Sequence, residues 1–330
     1  MFDFRRTEHG PALLVRVALL ILGVEAFSIG CHNESSPTIA VIPRTTGTGL
    51  WEPAHAGAEI AARSTKTKIY WNAPTREDDV QGQIALVESV IDRGYQGLVL
   101  APDQARALIS PVRRALSAGI PAVIISSPLP LPAGGKLSYV VSDDEEAGQI
   151  AASRIGELLH RRGSIAVLGI DPDVMGIMTR ARSLEAALAQ NYPQIKIVER
   201  RIGSSNLPHD QQVAEEILRA NPNLDAIVAL TWTSVHGTCT ALRRQSNLHM
   251  KVVGFDDAPT VALAHCPELD SLITQNIREM GQRAVQMIAA QLSGQTVPSE
   301  IRLKPVLVTL RNLNSPEVQE ILSMDWKLRP

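Results

Sequence analysis

The chain has 330 residues, of which 45% are hydrophobic and 20% charged, and its formal net charge is −2. This length and apolar content can bury one large core or the cores of two medium-sized domains. A net charge so close to zero gives no overall attraction to nucleic acid, so we expect no nucleic-acid partner.

The beginning of the chain has the features of an export signal. Arg5, Arg6 and Arg16 precede an apolar run at 17–24, which leads through small residues to Cys31. A basic segment, an apolar segment and a small-residue cleavage zone, in this order, are typical of secreted proteins. The apolar run is shorter than the roughly 20 residues that span a bilayer.

We therefore predict an export and lipoprotein signal at 1–30, lipidation of Cys31 and a polar tether at 31–37. The protein would then lie in the periplasm or at the cell surface, held to the membrane by its lipid. Glu25 and Ser28 depart from the usual lipoprotein pattern. A plain cleaved signal and an N-terminal anchor therefore remain alternatives.

Short β-branched runs alternate with longer segments of helical periodicity along the rest of the chain. The predicted strands are 38–42, 68–71, 97–101, 122–126, 139–142, 164–170, 195–201, 226–230, 251–254 and 271–275. The predicted helices include 80–93, 105–118, 145–161, 180–191, 210–220, 240–245 and 277–293. Such alternation predicts βαβ units with parallel sheets covered by helices on both faces.

A proline- and glycine-rich break at 126–135 lies near the middle of this pattern. It favours two doubly wound α/β lobes over one wide sheet. Doubly wound sheets bind ligands beyond the carboxyl ends of their strands, so two facing lobes would form a ligand cleft.

Two cysteines, Cys239 and Cys266, lie within the second half of the chain. They could pair in an oxidising compartment, but two cysteines without a surrounding framework are a weak signal for a disulfide. We favour the interpretation that they are two separate buried thiols.

The order of short motifs resembles that of periplasmic sugar-binding proteins of the ribose-binding type, solute-binding subunits of ABC transporters related to the effector domains of LacI-type repressors. The resemblance covers residues 38–308. The motifs that carry it are at 38–42, 97–103, 118–123, 141–148, 251–257 and 273–276. It implies a type I periplasmic binding protein, with two lobes joined by a three-strand hinge that closes around a small solute.

Carried over to this chain, the resemblance places the three hinge crossings near 126–128, 275–276 and 307–309. It implies an N-terminal lobe of 38–126 plus 276–306 and a C-terminal lobe of 127–275 plus 307–314. Residues 315–330 would then form a C-terminal extension.

The resemblance also implies ligand-binding residues at the ends of strands and in adjoining loops. Trp51 stands where the family places a stacking aromatic ring, in a loop that includes Thr45. Gln275 and Asp256 match ligand-contacting residues, although Asp256 could instead cap a helix. Asp103 and Gln104 match an aspartate position with one residue of uncertainty in register, and helix capping is equally plausible there.

Arg180 matches an arginine that either orients the second lobe or contacts the ligand. Ser126 and Trp232 occupy positions where the family has charged or amide groups, and the position of another sugar-gripping arginine holds Met178. These departures remove several hydroxyl-binding groups and add a ring that could face Trp51. A sugar is the leading ligand, and a less hydroxylated solute such as a deoxy sugar or a polyol derivative is the alternative.

No convincing catalytic set is present, and we predict a protein that is not an enzyme and has no cofactor or metal. The histidines show no zinc-ligand spacing. The glycine-rich stretch 45–49 lacks the full dinucleotide fingerprint. The acidic residues 143–146 begin a predicted helix, where capping and interaction with the helix dipole explain them.

Three functional classes remain. The first is a monomeric solute-binding protein that delivers a sugar-like ligand to an ABC permease. The second is a binding protein that presents its ligand to a sensor kinase or chemoreceptor. The third, a LacI-type repressor, would need a helix-turn-helix domain where this chain has its apolar leader, and we regard it as the weakest.

Overall fold

The structure is a computed structural model that describes Met1 and residues 36–244, 250–256 and 259–325. Apart from Met1, the predicted signal at 1–30 lies outside the described residues, as does Cys31. Within the described ranges, no helix is both long and apolar enough to cross a membrane.

The strands are short, and most are buried, as expected for strands covered by helices on both faces. They are β1 (Thr38–Ile42), β2 (Lys68–Trp71), β3 (Gly97–Leu100), β4 (Ala122–Ser126), β5 (Leu137–Ser142), β6 (Arg162–Ile170), β7 (Gln194–Ile202), β8 (Ala226–Ala229), β9 (Lys251–Phe255), β10 (Leu269–Thr274), β11 (Glu300–Leu303) and β12 (Val306–Thr309).

These strands form two six-stranded sheets, ordered β11-β5-β4-β3-β1-β2 and β12-β10-β9-β8-β6-β7. Neighbouring strands are parallel throughout the first sheet. The second sheet is parallel except for the antiparallel pair β10–β12. This topology confirms the predicted fold class, two doubly wound α/β lobes.

Helices connect the strands. They are α1 (Glu52–Thr65), α2 (Val80–Asp92), α3 (Ile109–Ser117), α4 (Asp144–Leu158), α5 (Met175–Asn191), α6 (Leu207–Ala220), α7 (Trp232–Arg243), α8 (Pro259–His265), α9 (Ile277–Leu292) and α10 (Pro316–Ile321). Polar side chains accept hydrogen bonds from first-turn N–H groups at several starts, including Asp143 before α4. Asp143 therefore caps α4, in agreement with the capping interpretation, whereas Asp144 pairs with Arg180.

Alternating side chains of each strand enter different hydrophobic clusters, one on each face of the sheet. In β1, Val41 packs into the cluster under α1 and α9, whereas Ala40 packs into the cluster under α2 and α3. In β6, Leu168 and Val167 divide in the same way between the two faces of the second sheet. Each lobe therefore has a core on both sides of its sheet, which fixes the strand register.

The strand pairing corrects two of the three expected crossings between the lobes. Strand β5 pairs with β4 and β11, so the chain leaves the first sheet after Ser142 rather than near 126–128. The proline-rich break belongs to the first lobe, because Leu129 is buried in that lobe's core and the Tyr139 hydroxyl donates to the Leu131 carbonyl at 2.6 Å.

The third crossing falls between β11 and β12, at Lys304 and Pro305, rather than at 307–309. Pro305 has no N–H to continue the ladder of β11, and Leu307 already pairs with Ile273 in the second sheet. The remaining crossing, between β10 and α9, lies at Gln275 and Asn276, as expected from the sequence.

A disulfide joins Cys239 of α7 to Cys266, in the turn before β10. The interpretation of two separate buried thiols is therefore wrong. Parallel pairing of β9 with β10 brings α7 and this turn together, and the two Cα atoms lie 5.7 Å apart. The two cysteines are 27 positions apart in the sequence, and this spacing carries no sign of their proximity.

Candidate functional site

A cavity of about 370 Å³ lies at the carboxyl ends of strands from both sheets. Residues at or just beyond the ends of β1, β4, β6, β8, β9 and β10 line it: Arg44, Ser126, Gly169, Thr231, Asp256 and Thr274. This is the position at which doubly wound sheets bind ligands. Because the lining comes from both lobes, a molecule in the cavity would contact both.

Six of the predicted binding residues line this cavity: Trp51, Ser126, Arg180, Trp232, Asp256 and Gln275. The other three lie outside its lining. The Thr45 hydroxyl accepts from the Gly47 N–H at 2.9 Å, and Asp103 pairs with Arg44 behind the cavity wall. Gln104 is exposed on the first lobe.

Trp51 ends a short 3-10 turn, Gly49–Trp51, that leads directly into α1. Pro53 lies in the first turn of α1, where its missing N–H costs nothing and its fixed φ favours the helix. The indole is 4% exposed, and its Nε1 has no hydrogen-bond partner among the described residues. A buried donor beside a cavity indicates a place for a ligand acceptor.

The second lobe contributes a buried ionic network, the Arg180 centre, formed by Arg180, Asp144 and Asp256. Arg180 Nε donates to Asp144 Oδ1 at 3.0 Å, and its Nη1 pairs with Asp256 Oδ2. Burial lowers the pKa of Arg180, but the two carboxylates raise it more, so the guanidinium stays charged. Asp256 therefore binds Arg180.

The network continues to the hinge. Gln275 Nε2 donates to Asp256 Oδ1 at 2.7 Å, and Ser126 Oγ donates to Gln275 Oε1 at 3.0 Å. Ser126 and Asp256 both adopt left-handed backbone conformations, with φ of 67° and 52°. Such backbone strain tends to concentrate at functional sites, where the surrounding structure holds it in place.

The first lobe contributes a second charged group, the Arg44 centre, formed by Arg44, Glu77 and Asp103. Arg44 Nη2 lies 3.1 Å from Asp103 Oδ1 and 3.8 Å from Glu77 Oε2. Burial raises the pKa of Asp103, Arg44 lowers it, and the charges of Glu77 and Asp171 raise it again, to about 6. Glu77 Oε1 is buried and has no hydrogen-bond partner in the described part of the chain.

The two lobes contact each other across the cavity. Trp232 Nε1, at the start of α7, donates to Glu77 Oε2 at 3.3 Å. The Gly176 N–H in α5 donates to Ser127 Oγ at 3.0 Å. A Cβ atom at Gly176 would lie 2.4 Å from Asp144 Oδ2 and 3.3 Å from Ser127 Oγ, so this close approach requires glycine.

Sequence reasoning missed several lining residues. Arg44 and Glu77 lie in polar loops that resemble solvated surface, and burial by the opposite lobe has no local sequence signal. The same is true of the C-terminal extension, from which Ile321, Leu322 and Met324 reach the cavity. In the described ranges, no group of three or more His, Cys, Asp or Glu side chains is arranged to hold a metal ion.

Comparison with known proteins identifies similar chains. A profile for the periplasmic binding protein domain matches residues 39–296. The D-allose-binding periplasmic protein of Escherichia coli is 26% identical over 269 residues, which cover 78% of this chain and 86% of that protein.

Solved structures are also similar to this chain over most of its length. An ABC transporter solute-binding protein from Agrobacterium vitis, with bound D-fucose, is 25% identical and has a TM-score of 0.79, covering 87% of this chain and 100% of that one. Another from the same organism, bound with α-D-tagatopyranose, has a TM-score of 0.81 at 24% identity, covering 87% of this chain and 99% of its own. Because this second structure is only 24% identical, its similarity shows that the two chains share a fold and nothing more.

Proposed function

We propose that this chain, which belongs to the periplasmic binding protein family, captures a sugar or sugar-like molecule between its lobes and delivers it to an ABC permease. The observation that carries this proposal is the interlobe cavity, where buried polar atoms with no hydrogen-bond partner in the described ranges lie beside a tryptophan ring. Sugars need both features, because their C–H faces pack on rings and their hydroxyls require hydrogen bonds once desolvated.

The relatives support a sugar ligand. The similar Escherichia coli protein is named for D-allose, and the similar Agrobacterium vitis structure contains D-fucose. Both names describe monosaccharides. A cavity of about 370 Å³ is of the size that holds small ligands in proteins.

In this proposal, Trp51 stacks on the apolar face of the sugar ring and Asp256, Gln275 and Glu77 bind its hydroxyls. Arg180 holds Asp256 in position, because its guanidinium already pairs with two carboxylates. Carboxylates and amides can each bind hydroxyls through two atoms, which gives both affinity and orientation.

Ligand capture would follow a shift between open and closed lobe arrangements. The contacts Trp232–Glu77 and Gly176–Ser127 join the lobes in the described conformation. A sugar that contacts both lobes adds binding energy to this closed state alone, and therefore increases its population. The hinge strands at Gln275 and Pro305 would carry the rotation.

We also propose that the chain acts in the periplasm as a monomer, exported by its N-terminal signal and held at the membrane by lipid on Cys31. The periplasmic relatives support the compartment. The disulfide Cys239–Cys266 supports it as well, because disulfides persist in oxidising compartments. Mass spectrometry of the mature N-terminus would test the lipid.

A thermal-shift panel of D-allose, D-ribose and D-fucose tests the proposal. A bound sugar should raise the melting temperature, and the rise should grow with the logarithm of the sugar concentration once that concentration exceeds the dissociation constant. Trp51→Phe should weaken binding, whereas Trp71→Phe serves as the control, because Trp71 stacks on His55 with centroids 4.3 Å apart and lies outside the cavity lining. No shift with any sugar in folded, disulfide-bonded protein would refute sugar capture.

A further inference from the structure

The chain does not end at the last strand. After β12, the C-terminal segment, residues 315–325, begins with Ser315, which caps α10. Val318 of α10 is buried in the core of the second lobe, and Gln319 Nε2 donates to the Leu313 carbonyl at 2.8 Å. The first half of the segment is therefore fixed to the second lobe.

The second half of the C-terminal segment reaches the first lobe. Arg278, in the first turn of α9, donates from Nη1 to the Ser323 carbonyl at 2.6 Å and from Nη2 to the Asp325 carbonyl at 3.0 Å. Two hydrogen bonds from one planar guanidinium fix both the position and the orientation of this backbone. The segment thus passes from one lobe to the other beside the hinge.

This path places apolar side chains at the edge of the ligand cavity. Ile321, Leu322 and Met324 line it together with Leu50, Pro53 and Ile277, and we call these six residues the apolar wall. Leu50 and Ile277 pack against the core cluster that contains Trp51. No side chain of the apolar wall can donate a hydrogen bond or accept a strong one.

Other parts of the cavity lining are polar and incompletely paired. Glu77 Oε1, Thr274 Oγ1 and Trp51 Nε1 are buried without hydrogen-bond partners among the described residues. Each of these side chains is more than nine-tenths buried. The cavity therefore offers hydrogen bonds over part of its lining and none along the apolar wall.

We infer that the ligand is a monosaccharide with an apolar substituent, such as the methyl group of a 6-deoxy sugar, and that the C-terminal segment selects it through Leu322 and Met324. This inference rests on the proposed sugar-binding function. The hydroxyl of a hydroxymethyl group against the apolar wall would lose its hydrogen bonds to water without gaining a hydrogen bond to the protein. A methyl group there would gain van der Waals contacts. Such a difference corresponds to about 10-fold or more in affinity.

The test compares sugars that differ at one carbon. Isothermal titration of the mature protein would measure dissociation constants for D-fucose against D-galactose, 6-deoxy-D-allose against D-allose, and D-quinovose against D-glucose. We expect the deoxy member of at least one pair to bind about 10-fold more tightly. Leu322→Ser and Met324→Gln should each reduce that ratio at least threefold.

Leu310→Ser is the matched control, because Leu310 is 64% exposed just after β12 and lies outside the cavity lining. It should keep the ratio of the unchanged protein. The melting temperature without sugar checks that each variant folds, and Met324, which is 58% exposed, can be replaced without opening a core.

Sugars that bind without preference for the deoxy member would overturn the inference and leave the proposed function standing. So would a preference that survives both Leu322→Ser and Met324→Gln. Absence of binding by every sugar of the panel, in protein that melts cooperatively, would overturn the proposed function and this inference together.

Discussion

The Arg180 centre and the Arg44 centre have the same composition, one arginine and two carboxylates. They differ in how fully the charged atoms are paired. In the Arg180 centre both carboxylates pair with the guanidinium, which is 3% exposed. In the Arg44 centre the guanidinium is 16% exposed, and Glu77 keeps one buried oxygen without a partner in the described residues. The first centre is complete before any ligand arrives, and the second is not.

The difference shows how two similar charge clusters can have different roles. The Arg180 centre lies within the second lobe and gives its half of the site a fixed shape. The Arg44 centre belongs to the first lobe, yet Trp232 and Asp171 of the second lobe approach it. We therefore expect loss of Arg180 to affect mainly stability, and changes in the Arg44 centre to affect mainly ligand binding.

Removal of Arg180 is the strongest test of this contrast. Arg180→Met leaves two buried carboxylates without their counter-charge, so we expect the free energy of unfolding to fall by about 3–5 kcal/mol. Urea denaturation measures it. Arg182→Met, on the exposed side of the same helix, should change stability by less than about 0.5 kcal/mol. Equal effects of the two substitutions would contradict the structural role of Arg180.

Glu77→Gln should affect binding more than folding. The amide keeps the size of the side chain but loses the charged acceptor, and a hydrogen bond to a charged group contributes about 1.5–3 kcal/mol. We expect sugar affinity to fall by at least about 10-fold, measured by titration with whichever of D-allose and D-fucose binds. Asp78→Asn, at the exposed neighbouring carboxylate, is the control and should bind as before.

The raised pKa of Asp103 gives the Arg44 centre a pH dependence. Because this pKa is about 6 in the folded protein and 3.8 in its ordinary state, the folded chain holds an extra proton between pH 4 and 6. Stability should therefore decrease as pH rises through that window, by up to about 3 kcal/mol. Asp103→Asn should make this slope shallower in urea unfolding at several pH values, and part of it should remain because burial also raises the pKa of Asp144; an unchanged slope would assign it to other groups.

The smallest expected effect belongs to the lobe contact at Ser127. Ser127→Ala removes the acceptor of the Gly176 N–H in the closed arrangement. In an open arrangement that N–H can bind water, so the substitution destabilises only the closed arrangement. We therefore expect sugar affinity to decrease about threefold, or about 0.7 kcal/mol. Ser205→Ala tests whether any serine lining the cavity has the same effect; a matching loss there would remove the special role of Ser127.

The sequence was sufficient to predict the two lobes, because buried parallel strands and amphipathic helices repeat with clear periodicity. Strands β11 and β12 were missed; β11 alternates charged with apolar residues and therefore lacks the continuous apolar run of a buried strand. Without β11, the partner of β5 at the sheet edge was unknown, and the proline-rich loop was mistaken for the first crossing.

The site was predictable where motifs end at strands, as at Asp256 and Gln275. It was not predictable at Glu77 or Leu322, which reach the cavity through contacts between segments more than 100 residues apart in the chain. No local pattern encodes such a contact. Asp103 shows the opposite case, in which a strand-end aspartate supports the site from behind through Arg44.

The position of β11 has a consequence for how this chain is made. Strand β5 keeps an open edge until residues 300–303 arrive to pair with it, and helix α9, which covers the face of the first sheet, is synthesised almost as late. A chain that emerges from a ribosome or a translocation channel with its N-terminus first must therefore wait until nearly all of it has appeared before the first lobe can close. During that interval the edge of β5 is available for pairing with another chain. A chaperone that binds and covers this edge would therefore stay bound to the first lobe for longer than it would to any single βαβ unit of the second lobe.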